Sequence, residues 1–485
     1  MVAACAVNAI RTNDIAVRNY GIRFASLTDK ISKSSLLVAS ALLLVISLPA
    51  LGQQGPESLL PEGFGDPAPP PPASVRRPTP AAPGTVAPSA ATTVGDPNVE
   101  ADAETDEETP VQIVRYDVPP SARRSLSNIG IISQASGGFP ADSFGSLSGP
   151  FLMQVVERTS GPIASRWGTI MARRLLASRT NTPDGVSGAD WTAERAWLLL
   201  RMGDSVVARN LVQQVDDGNY TKRLHEVAMQ AYLANGDVAG LCPLSESGVR
   251  LVNNGNWKMS RAICASLAGE QGSATAFINQ GRYQGWVRGV DYLLAEKVVG
   301  AGINGRRSVK IEWDNVEGMN PWRFGLSAAV GLEPPERLFS TIGRQVDGWR
   351  AQLPMFTPTI RVKYASGAAA LGILSNRDMV DLYAQVFEDS DAPDAERTKA
   401  ENLGNAYTAS GADAKVAAMT SLWSAAAAGA DYHAALVMTA RAAALIAPDA
   451  DHKAEADGLV ASMLTAGLDR SAARWVSVVP DGSLG

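Results

Sequence analysis

The side chains that could make or break bonds are few and scattered. The three histidines, His225, His433 and His452, stand far from one another and share no metal-ligand spacing with a cysteine or carboxylate. No HExxH, GxSxG or Walker A pattern occurs, and no glycine-rich dinucleotide loop follows a strand. Acidic clusters at Asp216-Asp217 and Asp389–Asp391 lie among turn residues, where capping of helix ends accounts for them. A glycosidase needs two carboxylates facing each other across a cleft, an arrangement that spacing alone does not exclude. The reading is of no catalytic residue, no metal and no cofactor.

Two constellations remain. Cys242 and Cys264 are an even pair once Cys5 is set aside with the leader, and in an exported chain such a pair is a disulfide candidate. Cys242 falls early in one expected helix and Cys264 midway along the next, so antiparallel packing would bring them together; the alternative is two buried thiols. The second constellation is basic and aromatic. Residues 301–325 interrupt the helical rhythm and carry Arg306, Arg307, Lys310, Trp313, Trp322 and Arg323. Such residues on a loop suit a sugar or peptide groove. The competing reading is a linker whose tryptophans cap the core. Val309, Ile311 and Trp313 alternate with polar neighbours as a short strand or extended loop would. Asn320-Pro321 suits a new helix start.

The elements that would carry these residues begin after a long preamble. Lys30 and Lys33 precede the apolar run Leu36 to Ile46, and Ala50 and Gly52 give a small-x-small exit. Residues 1–52 therefore read as a Sec signal peptide cleaved after Gly52, with an uncleaved membrane anchor as the alternative. The apolar run is shorter than the roughly 20 residues that span a bilayer, so no stable span is expected after cleavage. Residues 53–149 read as a disordered linker, proline-rich around Pro69–Pro72 and acidic from Glu100 to Glu108. Residues 53–110 hold ten acidic and two basic side chains, a net of −8, whereas 111–485 hold 37 acids and 36 bases. The folded part thus has no bulk electrostatic drive towards nucleic acid or anionic membrane.

From about Phe151 apolar residues recur at helical spacing. The turns Met202-Gly203-Asp204, Asn235-Gly236-Asp237 and Gln271-Gly272-Ser273 punctuate helices, with glycines 33 and 36 residues apart. Asp190 and Asp204 are placed to cap helices, since an acidic side chain accepts the free N–H groups of a first turn. The division expected is 150–300 for N-terminal repeats, 301–325 for the insertion, 326–476 for alanine-rich C-terminal repeats and 477–485 for a tail. In the alanine-rich part, Trp423, Tyr432, Leu436, Met438 and Leu445 point to helix packing.

The stretch Leu403-Gly404-Asn405-Ala406-Tyr407-Thr408-Ala409-Ser410-Gly411 carries a Leu-Gly-x-x-Tyr-x-x-x-Gly pattern, and Tyr232 keeps the same distance from Gly236. On these residues the chain resembles degenerate tetratricopeptide (TPR) repeats over 190–300 and 395–470, and is distantly similar to the non-catalytic helical ring of periplasmic soluble lytic transglycosylases. No lysozyme-like domain follows. The resemblance implies an all-α fold, a right-handed α-α superhelix, in which Gly404 admits a close helix, Tyr407 fills the groove and Gly411 makes the turn. It implies an envelope protein or peptide as partner, with peptidoglycan as the alternative ligand.

Overall fold

The computed structural model describes residues 119–161, 163, 165–302, 309–480 and 482–483, all within the compact unit Thr109–Gly485. The leader, the linker up to residue 118, Arg306 and Arg307 lie outside the described residues. The described chain is predominantly α-helical. Its first half holds α1 (Gly149–Arg158), α2 (Arg166–Ala177), α3 (Gly188–Arg201), α4 (Ser205–Val212), α5 (Lys222–Leu233), α6 (Ser245–Leu251), α7 (Gly255–Leu267), α8 (Gln271–Gln284) and α9 (Val290–Gly302). Its second half holds α10 (Pro321–Ala329), α11 (Gln345–Gln352), α12 (Pro358–Ala370), α13 (Asn376–Glu388), α14 (Asp394–Thr408), α15 (Ala412–Ala425), α16 (Ala430–Ala444), α17 (Ala456–Thr465) and α18 (Asp469–Ala473). No helix of the described residues is long and apolar enough to cross a membrane.

Side-chain caps set several of the helix starts. Asp204 accepts the Val207 N–H at 3.1 Å, Asn254 that of Trp257 at 2.9 Å, and Asn320 that of Arg323 at 2.9 Å just ahead of Pro321. Each cap satisfies a donor that the first helical turn leaves free. Asp190 does not cap. The helix α3 begins two residues earlier, and the Asp190 carboxylate accepts from Thr221 Oγ1 at 2.6 Å, tying α3 to the start of α5.

Three helix ends share one backbone device. Gly203, Gly236 and Gly269 are left-handed, at φ 94°, 63° and 80°, and follow one another at 33-residue intervals. In each, the residue after the glycine donates back across the last turn: Asp204 to Leu199 O at 2.9 Å, Asp237 to Tyr232 O at 2.9 Å, Glu270 to Ala265 O at 2.8 Å. Glycine takes this conformation without a Cβ clash, and the bond occupies an otherwise orphaned carbonyl. The third turn therefore belongs to Gly269. Gly272, expected to make it, lies inside the first turn of α8.

The linker expected to run to residue 149 ends sooner. Residues 128–129 pair antiparallel with 180–181 in a two-stranded ladder, Asn128 opposite Asn181 and Ile129 opposite Thr180. Ile129 is buried, and the Phe144 ring meets Trp191 edge-on at 5.1 Å. Arg195, buried on α3, donates to the carbonyls of Leu176 at 2.8 Å, Ser178 at 2.6 Å and Ile129 at 2.9 Å, which fastens this segment to the helices. The Ser/Gly/Pro composition made it irregular, but its few apolar side chains still find a core. No strand forms over 309–313. At the other end, Val478 and Val479 of the expected tail pack against the last core.

Packing is not confined to neighbours in sequence. The helix α11 crosses the Gly203 turn: Trp349 Nε1 donates to Leu200 O at 3.1 Å and Gln352 Nε2 to Gly203 O at 3.1 Å. Arg173 on α2 pairs with Asp204 at 2.5 Å and also reaches Gly372 O. One core runs from Ile129 to Phe356, and two more lie among α11–α18, with Tyr407 packed against both. Within these, α16 is the hub, packed on α12 to α15 and on α17. Its buried Ala434, Ala435, Ala440, Ala442 and Ala443 let the surrounding helices approach closely. Trp423, Leu436 and Met438 are buried as expected, whereas Tyr432 and Leu445 are exposed.

Candidate functional site

Of the six basic and aromatic residues singled out from the sequence, the four that are described, Lys310, Trp313, Trp322 and Arg323, make separate contacts. Trp322 is buried and donates its Nε1 proton to Asp291 O at 3.1 Å. Arg323 grips the Asp291 carboxylate at 2.7 and 3.2 Å and donates to Gly318 O at 2.5 Å. Both serve to fix the start of α10 against α9, because Asp291 offers a backbone carbonyl and a carboxylate at the same place. Lys310 is exposed and pairs with Glu312 at 3.0 Å, and Trp313 is half-buried against the main core. A ligand groove over these residues is therefore not formed by the described part of 301–325. Cys242 and Cys264 are joined in a disulfide with their Cα atoms 5.4 Å apart, which ties the turn after α5 to α7.

Another polar cluster is spent internally. The Arg350 guanidinium, buried on α11, lies between the rings of Phe339 and Tyr364, 3.7 and 3.6 Å from their centres, and donates to Glu336 at 3.0 and 2.7 Å. Those hydrogen bonds hold the Glu336 carboxyl below its usual range. Such a stack locks 336–364 together rather than waiting for a ligand.

Basic and aromatic character does come together at the α8–α9 corner. Arg282, Tyr283 and Arg288 line an open hollow of about 390 Å³ around Gly285 and Gly289. Tyr283 is 92% exposed, and neither arginine meets a carboxylate among the described residues.

A groove of about 540 Å³ lies between α13 and α14. Along α13 the apolar residues come in adjacent pairs, Met379-Val380, Leu382-Tyr383 and Val386-Phe387. Met379, Leu382, Tyr383 and Val386 enter the core, and Val380, Ala384 and Phe387 join one side of the Tyr383 ring to line the groove. The opposite wall comes from Ala400, Leu403, Gly404 and Tyr407 of α14. Tyr383 turns its hydroxyl to Glu396 at 3.3 Å and Tyr407 donates to Met438 O at 3.1 Å, so ring carbon lines the groove. Burial raises both phenol pKa values, and the Glu396 charge adds to the effect at Tyr383. Phe387 is 52% exposed, a large apolar side chain left in water.

Gly404 takes a different part from the expected one. Nothing lies within 4 Å of where its Cβ would be, so it opens the groove instead of admitting a neighbouring helix. Gly411 does turn the chain, at φ 85°. Glu388 and Glu401 stand exposed on the rim, without an ion-pair partner among the described residues. A second hollow, lined by Pro358, Ala384, Gln385, Glu388 and Asp389, shares two residues with the groove and continues it. The lining supplies apolar contact and carboxylate charge, which suits holding another molecule.

No protein family, no curated protein and no solved structure matches this chain. The paired apolar residues of α13 were the available signal of the groove: six of them in 379–387 are too many for one face.

Proposed function

We propose that this protein is a non-enzymatic scaffold of the bacterial periplasm, an adaptor whose TPR-like helix pairs hold a protein partner in cell-envelope assembly. The observation that carries the reading is the α13–α14 groove, an apolar trough with an unpaired acidic rim on a hairpin that ends in the left-handed Gly411 turn. Turns at 33-residue spacing support a right-handed superhelical array, since that is the length of one helix–turn–helix unit. The basic flank, apolar run and small-residue exit of the leader support export, and the Cys242–Cys264 bridge suits an oxidising compartment. The test is affinity capture by the full chain from solubilised Gram-negative envelope, with mass spectrometry of what is retained. One reproducible stoichiometric envelope protein is expected, and an eluate indistinguishable from the blank would sink the adaptor reading.

A second reading, a peptidoglycan-binding accessory, is favoured by the α8–α9 corner, where Tyr283 and two uncommitted arginines line one hollow. It requires that Tyr283→Ala lower retention of the protein on purified sacculi. Equal retention of the variant, or none by wild type, would remove it.

A further inference from the structure

The charge around the groove narrows what it can hold. Residues 376–408 carry eight acidic and three basic side chains, a net of −5, whereas 111–485 as a whole stand near neutrality at 37 acids and 36 bases. The three bases are committed: Arg377 to Asp381 at 3.5 Å, Lys399 to Glu396 at 2.8 Å, and Arg397 to the carbonyls of Ser390 and Ala392 at 3.0 and 3.1 Å. Glu388 and Glu401 are left facing solvent at the end of the groove nearest the α13–α14 connection, where the exposed Asp391 adds to the field. The other polar side chains of the lining, Asn405 and Thr408, are neutral. An apolar trough with one acidic end repels anionic lipid headgroups and nucleic acid, and it favours an apolar chain that brings its own cation.

We propose that the α13–α14 groove binds a short apolar peptide segment of a partner protein, with Lys or Arg at the end that meets Glu388 and Glu401. This rests on the adaptor reading and specifies the chemistry of the partner. Aromatic or aliphatic side chains of the segment cover Phe387 and fill the space over Gly404, and its cation neutralises the rim.

Gly404 makes the proposal testable without unfolding the protein. It lies inside α14 with open space where a Cβ would go, so Gly404→Leu fills the groove while improving helix propensity. The probe is a phage-displayed library of random 12-residue peptides panned on the immobilised full chain, followed by fluorescence anisotropy with the enriched peptides. Enriched sequences are expected to join large apolar residues to Lys or Arg at one end. Gly404→Leu should abolish binding with the melting temperature held or raised. Glu388→Gln with Glu401→Gln should weaken binding roughly tenfold, and added salt should weaken the wild type but not this double variant. No enrichment over a blank surface, enrichment of acidic or uncharged sequences, or undiminished binding to Gly404→Leu would each overturn it. In the envelope capture, a partner held equally by wild type and Gly404→Leu sinks the groove proposal and leaves the adaptor reading standing. Peptides that bind in the groove, with no envelope partner captured, do the reverse.

Discussion

His225 shows how much of a residue's role is set by its surroundings. It is fully buried, its Nδ1 lies 2.8 Å from Thr221 O and its Nε2 2.8 Å from Ser247 Oγ, and the rings of Tyr220 and Trp257 meet it edge-on. Burial lowers its pKa below the ordinary 6.5, the Thr221 carbonyl opposes this, and the nearby Arg250 charge adds to the lowering. His433 is lowered too, by burial and by Arg166. A histidine that is harder to protonate when folded leaves the unfolded chain binding more protons in the window below 6.5. Stability should thus be level above that pH and fall as the pH drops through the window. Urea unfolding at steps from pH 7.5 to 5.5 should show this fall, and it should be shallower in His225→Gln. An identical slope in the variant would assign the dependence elsewhere. The same dependence on surroundings hid the fate of Trp322 and Arg323. Their types suit a binding loop, but their positions are decided by Asp291, about thirty residues earlier in the chain.

At the scale of elements, what the sequence made legible is what neighbouring residues decide among themselves. Asp204 and Asn320-Pro321 announce helix starts because capping needs only the next few N–H groups. Gly203 and Gly236 announce helix ends because an acidic residue follows each at once. Gly269 carries the same signal, with Glu270 directly after it, but Gly272, three residues on, offers a competing turn. Gly236 and Gly272 make a controlled comparison. At Gly236 a Cβ would lie 2.7 Å from Met355 Sδ in a left-handed backbone, so Gly236→Ala should cost about 1–3 kcal/mol. At Gly272 there is open space in a helix, so Gly272→Ala should stay within about 1 kcal/mol of wild type and on the stabilising side. Equilibrium denaturation of both variants decides it, and equal losses would restore Gly272 as a turn. The groove was less legible, because its walls pair two helices and no local rule says which face of α13 stays uncovered.

For the whole folded unit, the feature that no sequence rule gave is the return of residues 345–374 onto the first helices. A repeat array that touches only its neighbours tolerates truncation, since each unit is supported by the one before it. Here Trp349 and Gln352 bond to Leu200 and Gly203 across 149 positions, and Met355 sits over the Gly236 turn. A chain cut after Gly343 should therefore lose cooperative unfolding throughout α3–α5, although none of those residues is missing. Hydrogen exchange at the Leu199 to Asp204 amides would report it. Protection equal to that of the full chain would show that the first helices stand alone.

That crossing also has a consequence in time. A ribosome releases the N-terminal end first, and at about 5–20 residues per second the partners of Leu200 and Gly203 follow roughly 7 to 30 seconds later. Through that interval the apolar ground reserved for Trp349, Leu353 and Phe356 is bare, and it is long compared with the microseconds in which hydrophobic surfaces find each other. A chain built in this order has reason to be kept from folding until all of it has been delivered.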